Sequence, residues 1–227
     1  MDIDMKAMKA ELGGAFMLSW VVLTLATLIE DPDSGDNVTL MAGEVAAMGL
    51  AGAIAIAVAW TAFSGAHILP VVTWSHMMTG DLSDTEGNWM ANGMRLVAQV
   101  VGAALAVLLA TEASPIEAGT LGAAALADSM NISTIAEDYW AVLGMVAAGA
   151  VWWQIHTRCD SAWMSAFGLM AIGGAMTLTG AHEMGTSLVG GGTEIANVLV
   201  NWITDGLFVG IGAFLGVTVD GMIGEEE

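Results

Sequence analysis

Basic residues are scarce: four Lys+Arg stand against 24 Asp+Glu, a formal charge of −20. A chain this acidic repels the phosphate backbone, so binding of nucleic acid is not expected. The single cysteine permits no intrachain disulfide. Charged residues of both signs make up 12% of the chain, about half the ~25% of an ordinary soluble domain. Hydrophobic residues make up 56%, which excludes disorder. With the 29 glycines added, about two-thirds of the chain is apolar, more than a water-soluble globule of this size can bury. Composition therefore predicts an integral membrane protein.

Apolar runs fall at Leu12–Ile29, Val45–Phe63, Met94–Ala110, Trp140–Ile155, Ala162–Leu178 and Val198–Val219. Each is close to the ~20 residues that cross ~30 Å of hydrocarbon as a helix. The runs are continuous instead of alternating, which argues against barrel strands. The first is long for a signal peptide, and no small-residue cleavage site follows Ile29, so it is read as a retained span. With six spans, Lys6, Lys9, Arg95 and Arg158 all lie at the cytoplasmic side, which places both termini there in a multi-pass cell-membrane protein. Trp60, Trp140, Trp152, Trp153, Trp163 and Trp202 lie near span ends, where an interfacial aromatic belt is expected.

A near-duplicate motif divides the chain. Ser64-Gly65-Ala66-His67 follows the second run, and Thr179-Gly180-Ala181-His182 follows the fifth. Glu11 pairs with Glu137, and Gly102-Ala103 with Gly212-Ala213. Three spans per copy is an odd number, so the second copy would enter the membrane inverted. The expected layout is a first repeat over 1–110, a connecting loop over 111–135 and a second repeat over 136–227. Re-entrant segments are expected at 64–79 and 179–197. Within them, short half-helices at about Pro70–Met78 and Gly185–Ile195 would meet N-terminus to N-terminus at the membrane centre. The fold expectation is thus an all-α membrane protein with six transmembrane helices plus two re-entrant half-helices.

At these residues the chain resembles the major intrinsic protein family, the aquaporins and aquaglyceroporins. Ala10-Glu11-Leu12-Gly13-Gly14-Ala15-Phe16 is similar to the family's first-helix opening. Ser64-Gly65-Ala66-His67 with Pro70 and Val72-Thr73 resembles its first Asn-Pro-Ala loop, and Ala98-Gln99-Val100-Val101-Gly102-Ala103 its third helix. The resemblance implies a homotetramer in the lipid bilayer with a pore in each subunit, no cofactor and no metal. It also implies that Glu11 and Glu137 brace the two loops through backbone hydrogen bonds.

The departures are specific. Leu69-Pro70-Val71 and Met184-Gly185-Thr186 stand where the family carries Asn-Pro-Ala, so the expected pore centre loses both amide donors. The filter positions fall at Gly49, Ile172, Ala181 and Ser187, without the family's arginine. A wider, less polar pore suits water or small uncharged solutes such as glycerol, urea, ammonia or dissolved gas.

His67 and His182 are expected beside the pore, as gating groups or as packed rings bonded to backbone. Glu183 is expected at the mouth of the second half-helix, as a cap or as a cation-attracting group. The spacings Gly206-x-x-x-Gly210 and Gly212-x-x-x-Gly216 suit close helix packing. An occluded pore-less homologue, an ion channel and a membrane enzyme are the alternatives. For the last, His67, His76, His156 and His182 with Glu183 offer metal-ligand chemistry but no metalloprotease spacing, and no catalytic residues are assigned.

Overall fold

The computed structural model describes residues 4–29, 42–113, 139–173, 181–189 and 195–224, and every regular element in them is helical. Eight α-helices follow in order: α1 (Met5–Ile29), α2 (Ala42–Ala62), α3 (Pro70–Thr79), α4 (Ala91–Ala113), α5 (Tyr139–Arg158), α6 (Ala162–Gly173), α7 (Ala181–Val189) and α8 (Ile195–Gly224). A π-helical turn, Thr85–Met90, leads into α4.

Local chemistry sets several of the boundaries. Asp4 caps α1 by accepting from the Lys6 and Ala7 amides at 2.9 and 3.0 Å. The Ala7 amide is the main reason the Asp4 carboxyl titrates below its ordinary range. Pro70 at the first position of α3 presets its helical φ, with Leu69 extended before it. The second short helix begins at Ala181 instead of near Gly185 and ends at Val189. No proline marks a start there, so the helix extends back over the Ala-His-Glu that precedes Met184.

The expectation of six transmembrane helices plus two re-entrant halves does not hold. Among the described residues, two helical stretches are long and apolar enough to cross a membrane, Thr85–Leu109 and Trp202–Met222. Gly52–Ala62 is apolar but short. An apolar run also forms when a helix is buried among other helices, so run length alone overcounts spans.

The long helices bury small residues and expose large ones. On α4, Gln99, Ala103, Ala106 and Val107 are fully buried, whereas Val97, Val101, Leu105 and Leu109 stand about half exposed on another face. Phe214, Leu215, Val219 and Met222 are likewise exposed on α8.

Glycines set the closest approaches. A Cβ on Gly102 would run into the Leu12 carbonyl of α1, and one on Gly212 into the Val146 carbonyl of α5. The two spaced glycine pairs of α8 serve different neighbours: Gly206 and Gly210 receive Trp74 and Met78 of α3, while Gly212 and Gly216 receive Val146 and Ala150 of α5.

The pairings have an internal symmetry. α1 packs on α4 as α5 packs on α8, α3 packs on α8 as α7 packs on α4, and α2 packs on α6. Exchanging each helix with the one four places along leaves these principal pairings unchanged.

The aromatic-belt expectation also needs correction. Trp152, Trp153 and Trp202 are over 90% buried, so they are interior residues, whereas Trp163 is 47% exposed. Position near the end of an apolar run does not distinguish a ring at an interface from one packed between helices.

Candidate functional site

The site is organised by one buried carboxylate. Glu11 on α1 has no exposed surface, yet its two oxygens accept four hydrogen bonds. The His67 and Ile68 amides donate at 2.6 and 2.7 Å, Arg95 Nη1 at 2.6 Å and Gln99 Nε2 at 2.9 Å. Arg95 also reaches the Gly65 carbonyl at 3.1 Å. Gln99 Nε2 donates to Thr73 Oγ1 at 2.9 Å, and Thr73 Oγ1 lies 3.1 Å from His67 Nδ1. A charge so deeply buried is tolerable only when it is paired and its lone pairs are filled, and both conditions are met here.

The network holds the α2–α3 loop in a shape its sequence does not favour. Gly65 has φ +84°, which glycine adopts freely, but Ile68 has φ +67°, and a β-branched residue is strained there. The Glu11 carboxylate on the Ile68 amide and the Trp60 indole, donating to the His67 carbonyl at 3.0 Å, hold that turn.

Beside the loop lies a cavity of about 330 Å³ between the ends of α2 and α5, the start of α6, and α3. Imidazoles dominate its wall: His67, His76 and His156, with Cys159, Ser161, Ser165 and Trp60. The His67 and His76 rings stack face to face, 4.1 Å between centroids and 2° from parallel. His76 meets Trp153 edge-on at 4.9 Å and His156 edge-on at 6.3 Å. His156 bonds Ser165 Oγ through Nδ1 and lies against Trp152 at 5.1 Å and Trp60 at 5.6 Å. Among the described residues no group of three or more His, Cys, Asp or Glu is placed to hold a metal ion.

The residues singled out from sequence separate into distinct places. His67 lines the cavity, and Glu11 ties down its backbone. Leu69, Pro70 and Val71 are buried at the start of α3, with Leu69 and Val71 in the core that contains Ile56 and Trp152. Met184 belongs to another cluster, with Met77, Leu96 and Trp202, and Gly185 presses on the backbone at Ala103–Ala104 of α4. Leu69 and Met184 therefore do not share a packing cluster, and neither lines the cavity.

Ser187 is half-buried on α7. Gly49, Ile172, Ala181, His182, Glu183 and Thr186 lie in helices, but their side-chain environments are outside the described residues, as is Glu137 altogether.

Of the histidines grouped from sequence only as possible metal ligands, the structure brings His67, His76 and His156 to one cavity, together with Cys159, which sequence did not single out. Part of the signal was present: His76 is one helical turn beyond Val72, and both line the cavity. The union of α3 with the end of α5 has no local signature.

The described residues define an all-helical body with, among them, two helices long and apolar enough to cross a membrane, a buried carboxylate that braces a strained loop, and an imidazole-lined cavity next to that loop. No protein-family model and no curated protein matches the chain.

Proposed function

We propose that the chain is a multi-pass protein of the cell membrane, with both termini cytoplasmic, that passes water or small uncharged solutes down their gradients. The observation that carries this reading is a half-open cavity of about 330 Å³, lined in part by three imidazoles, in a helical body that turns large apolar side chains outward. Polar groups inside and Leu, Val and Phe outside suit a lipid solvent. The likeness of residues 64–73 and 98–103 to the major intrinsic proteins points the same way and adds a homotetramer as the expected assembly.

One observation favours the occluded alternative: Leu69, Val71 and Met184 are packed in the core, which would make the cavity a blind vestibule. Stopped-flow light scattering on proteoliposomes decides between the two. Faster shrinkage or swelling than protein-free vesicles with water, glycerol or urea supports the channel; no excess flux of any solute refutes it. A potential-driven ion current would overturn the neutral-solute reading.

A further inference from the structure

We infer that Asp205 braces the start of the second short helix, α7, as Glu11 braces the loop before α3, with the carboxylate supplied by the last helix of its repeat instead of the first. The inference does not depend on transport, so flux assays do not bear on it.

The packing gives the register between the two halves. A Cβ on Gly102 of α4 would meet the Leu12 carbonyl and the Phe16 amide of α1, and one on Gly212 of α8 would meet the Val146 carbonyl and the Ala150 amide of α5. Leu12 therefore corresponds to Val146, and Gly102 to Gly212. On the same register Glu11 corresponds to Met145, Arg95 to Asp205 and Gln99 to Val209. Glu137, the counterpart suggested by sequence, stands eight residues before Met145, equivalent to about 12 Å of helix.

Of the three replacements only Asp205 is polar. It is 5% exposed within the apolar stretch Trp202–Met222, where a carboxylate needs its lone pairs filled. Its partners are not Lys or Arg. The chain has four such residues; Arg95 pairs with Glu11, Arg158 pairs with Asp220, and Lys6 and Lys9 are exposed at the start of α1.

Neutral donors are at hand. Trp202, one turn before Asp205 on α8, shares a packing cluster with Met184 of the first turn of α7. The amides of that turn have no intrahelical acceptors, and the positive end of the helix favours a carboxylate. Through the repeated Gly-Ala-His, the His182 and Glu183 amides correspond to the His67 and Ile68 amides that Glu11 accepts.

The test is amide hydrogen exchange on the full chain in detergent, read residue by residue by NMR. Asp205→Ala should speed exchange over residues 181–184 by about tenfold or more, the worth of one charge-assisted hydrogen bond, and leave residues 66–69 unchanged. Met145→Glu returns a carboxylate to the place of Glu11. In the Asp205→Ala background it should restore most of the protection, whereas alone it sets a second acid beside Asp205 and should reduce protection. A residue that merely fills space would not produce that reversal.

Unchanged exchange in Asp205→Ala overturns the inference, as does failure of Met145→Glu to rescue it. If the variants do not fold, wild-type protein decides. Its 181–184 amides should exchange within about tenfold of those of His67 and Ile68, the same one-bond scale, and faster exchange overturns the brace.

Discussion

Removing the Glu11 carboxylate should be the most damaging single change to this protein. Glu11→Ala deserts the His67 and Ile68 amides, the Gln99 amide and the Arg95 guanidinium in one step. A buried donor left without a partner costs about 1–3 kcal/mol, and an abandoned buried charge about 3–5 kcal/mol. Two features reduce the sum. Arg95 retains the Gly65 carbonyl and has one-fifth of its side chain in contact with solvent. The loop can also relax Ile68 out of its positive φ, recovering part of about 1–3 kcal/mol of strain.

The net loss should be about 4 kcal/mol, or on the order of 10 °C in Tm for a chain of this length. Glu11→Gln keeps the shape and one acceptor oxygen and should lose about half as much. The assay is thermal unfolding in detergent followed by tryptophan fluorescence, since Trp60 reports on the braced loop. Adding Arg95→Met to Glu11→Ala should recover stability because the abandoned charge is gone, so the pair should show a coupling of opposite sign to the single losses. A Glu11→Ala protein melting within about 2 °C of wild type, under a kcal/mol on the same scale, would refute the bracing argument.

Other outcomes follow from packing and titration. Gly102→Ala and Gly212→Ala each push a methyl into a backbone carbonyl and should cost about 1–3 kcal/mol in the same melting assay. Gly93→Ala and Gly144→Ala, where a Cβ meets open space, should be neutral or stabilising by up to about 1 kcal/mol. Asn88→Ala removes the bonds that its side chain donates to the Met77 and Asp81 carbonyls at 2.9 and 3.0 Å. It should cost about 1–3 kcal/mol and loosen the α3–α4 connection, seen as faster amide exchange over residues 80–90.

The exposed Asp81 carboxyl is held below its ordinary range by the Ser83 hydroxyl and amide. Because the folded value lies below the unfolded one, its contribution is present above the usual carboxylate range and is lost as pH falls through the lowered value. An NMR titration should show a depressed Asp81 midpoint that rises in Ser83→Ala.

Local features of the site were legible in the sequence because they depend on neighbouring residues. Pro70 marks the start of α3 through its fixed φ, and Glu11 stands out as a lone acid at the head of an apolar run. The partners of Glu11 were not legible in this way: they lie 56, 57, 84 and 88 residues along the chain. The histidines could be grouped from sequence by type alone, but which of them share a wall could not, because His76 and His156 meet only once α3 and α5 are packed. The count of spans failed for a related reason, since an apolar run has the same composition whether lipid or another helix covers it.

The sequence by itself determined a helical chain too apolar for an ordinary soluble globule, with glycines spaced for close contact along its last helix. Those are properties of composition and short-range periodicity, which need no knowledge of what each face meets. The tertiary structure decided which tryptophans are interior, which glycines touch which carbonyls, and that three imidazoles share one cavity. Such pairings between distant segments are fixed by shape and by the need to fill every buried donor and acceptor, conditions that exist only after the helices have packed.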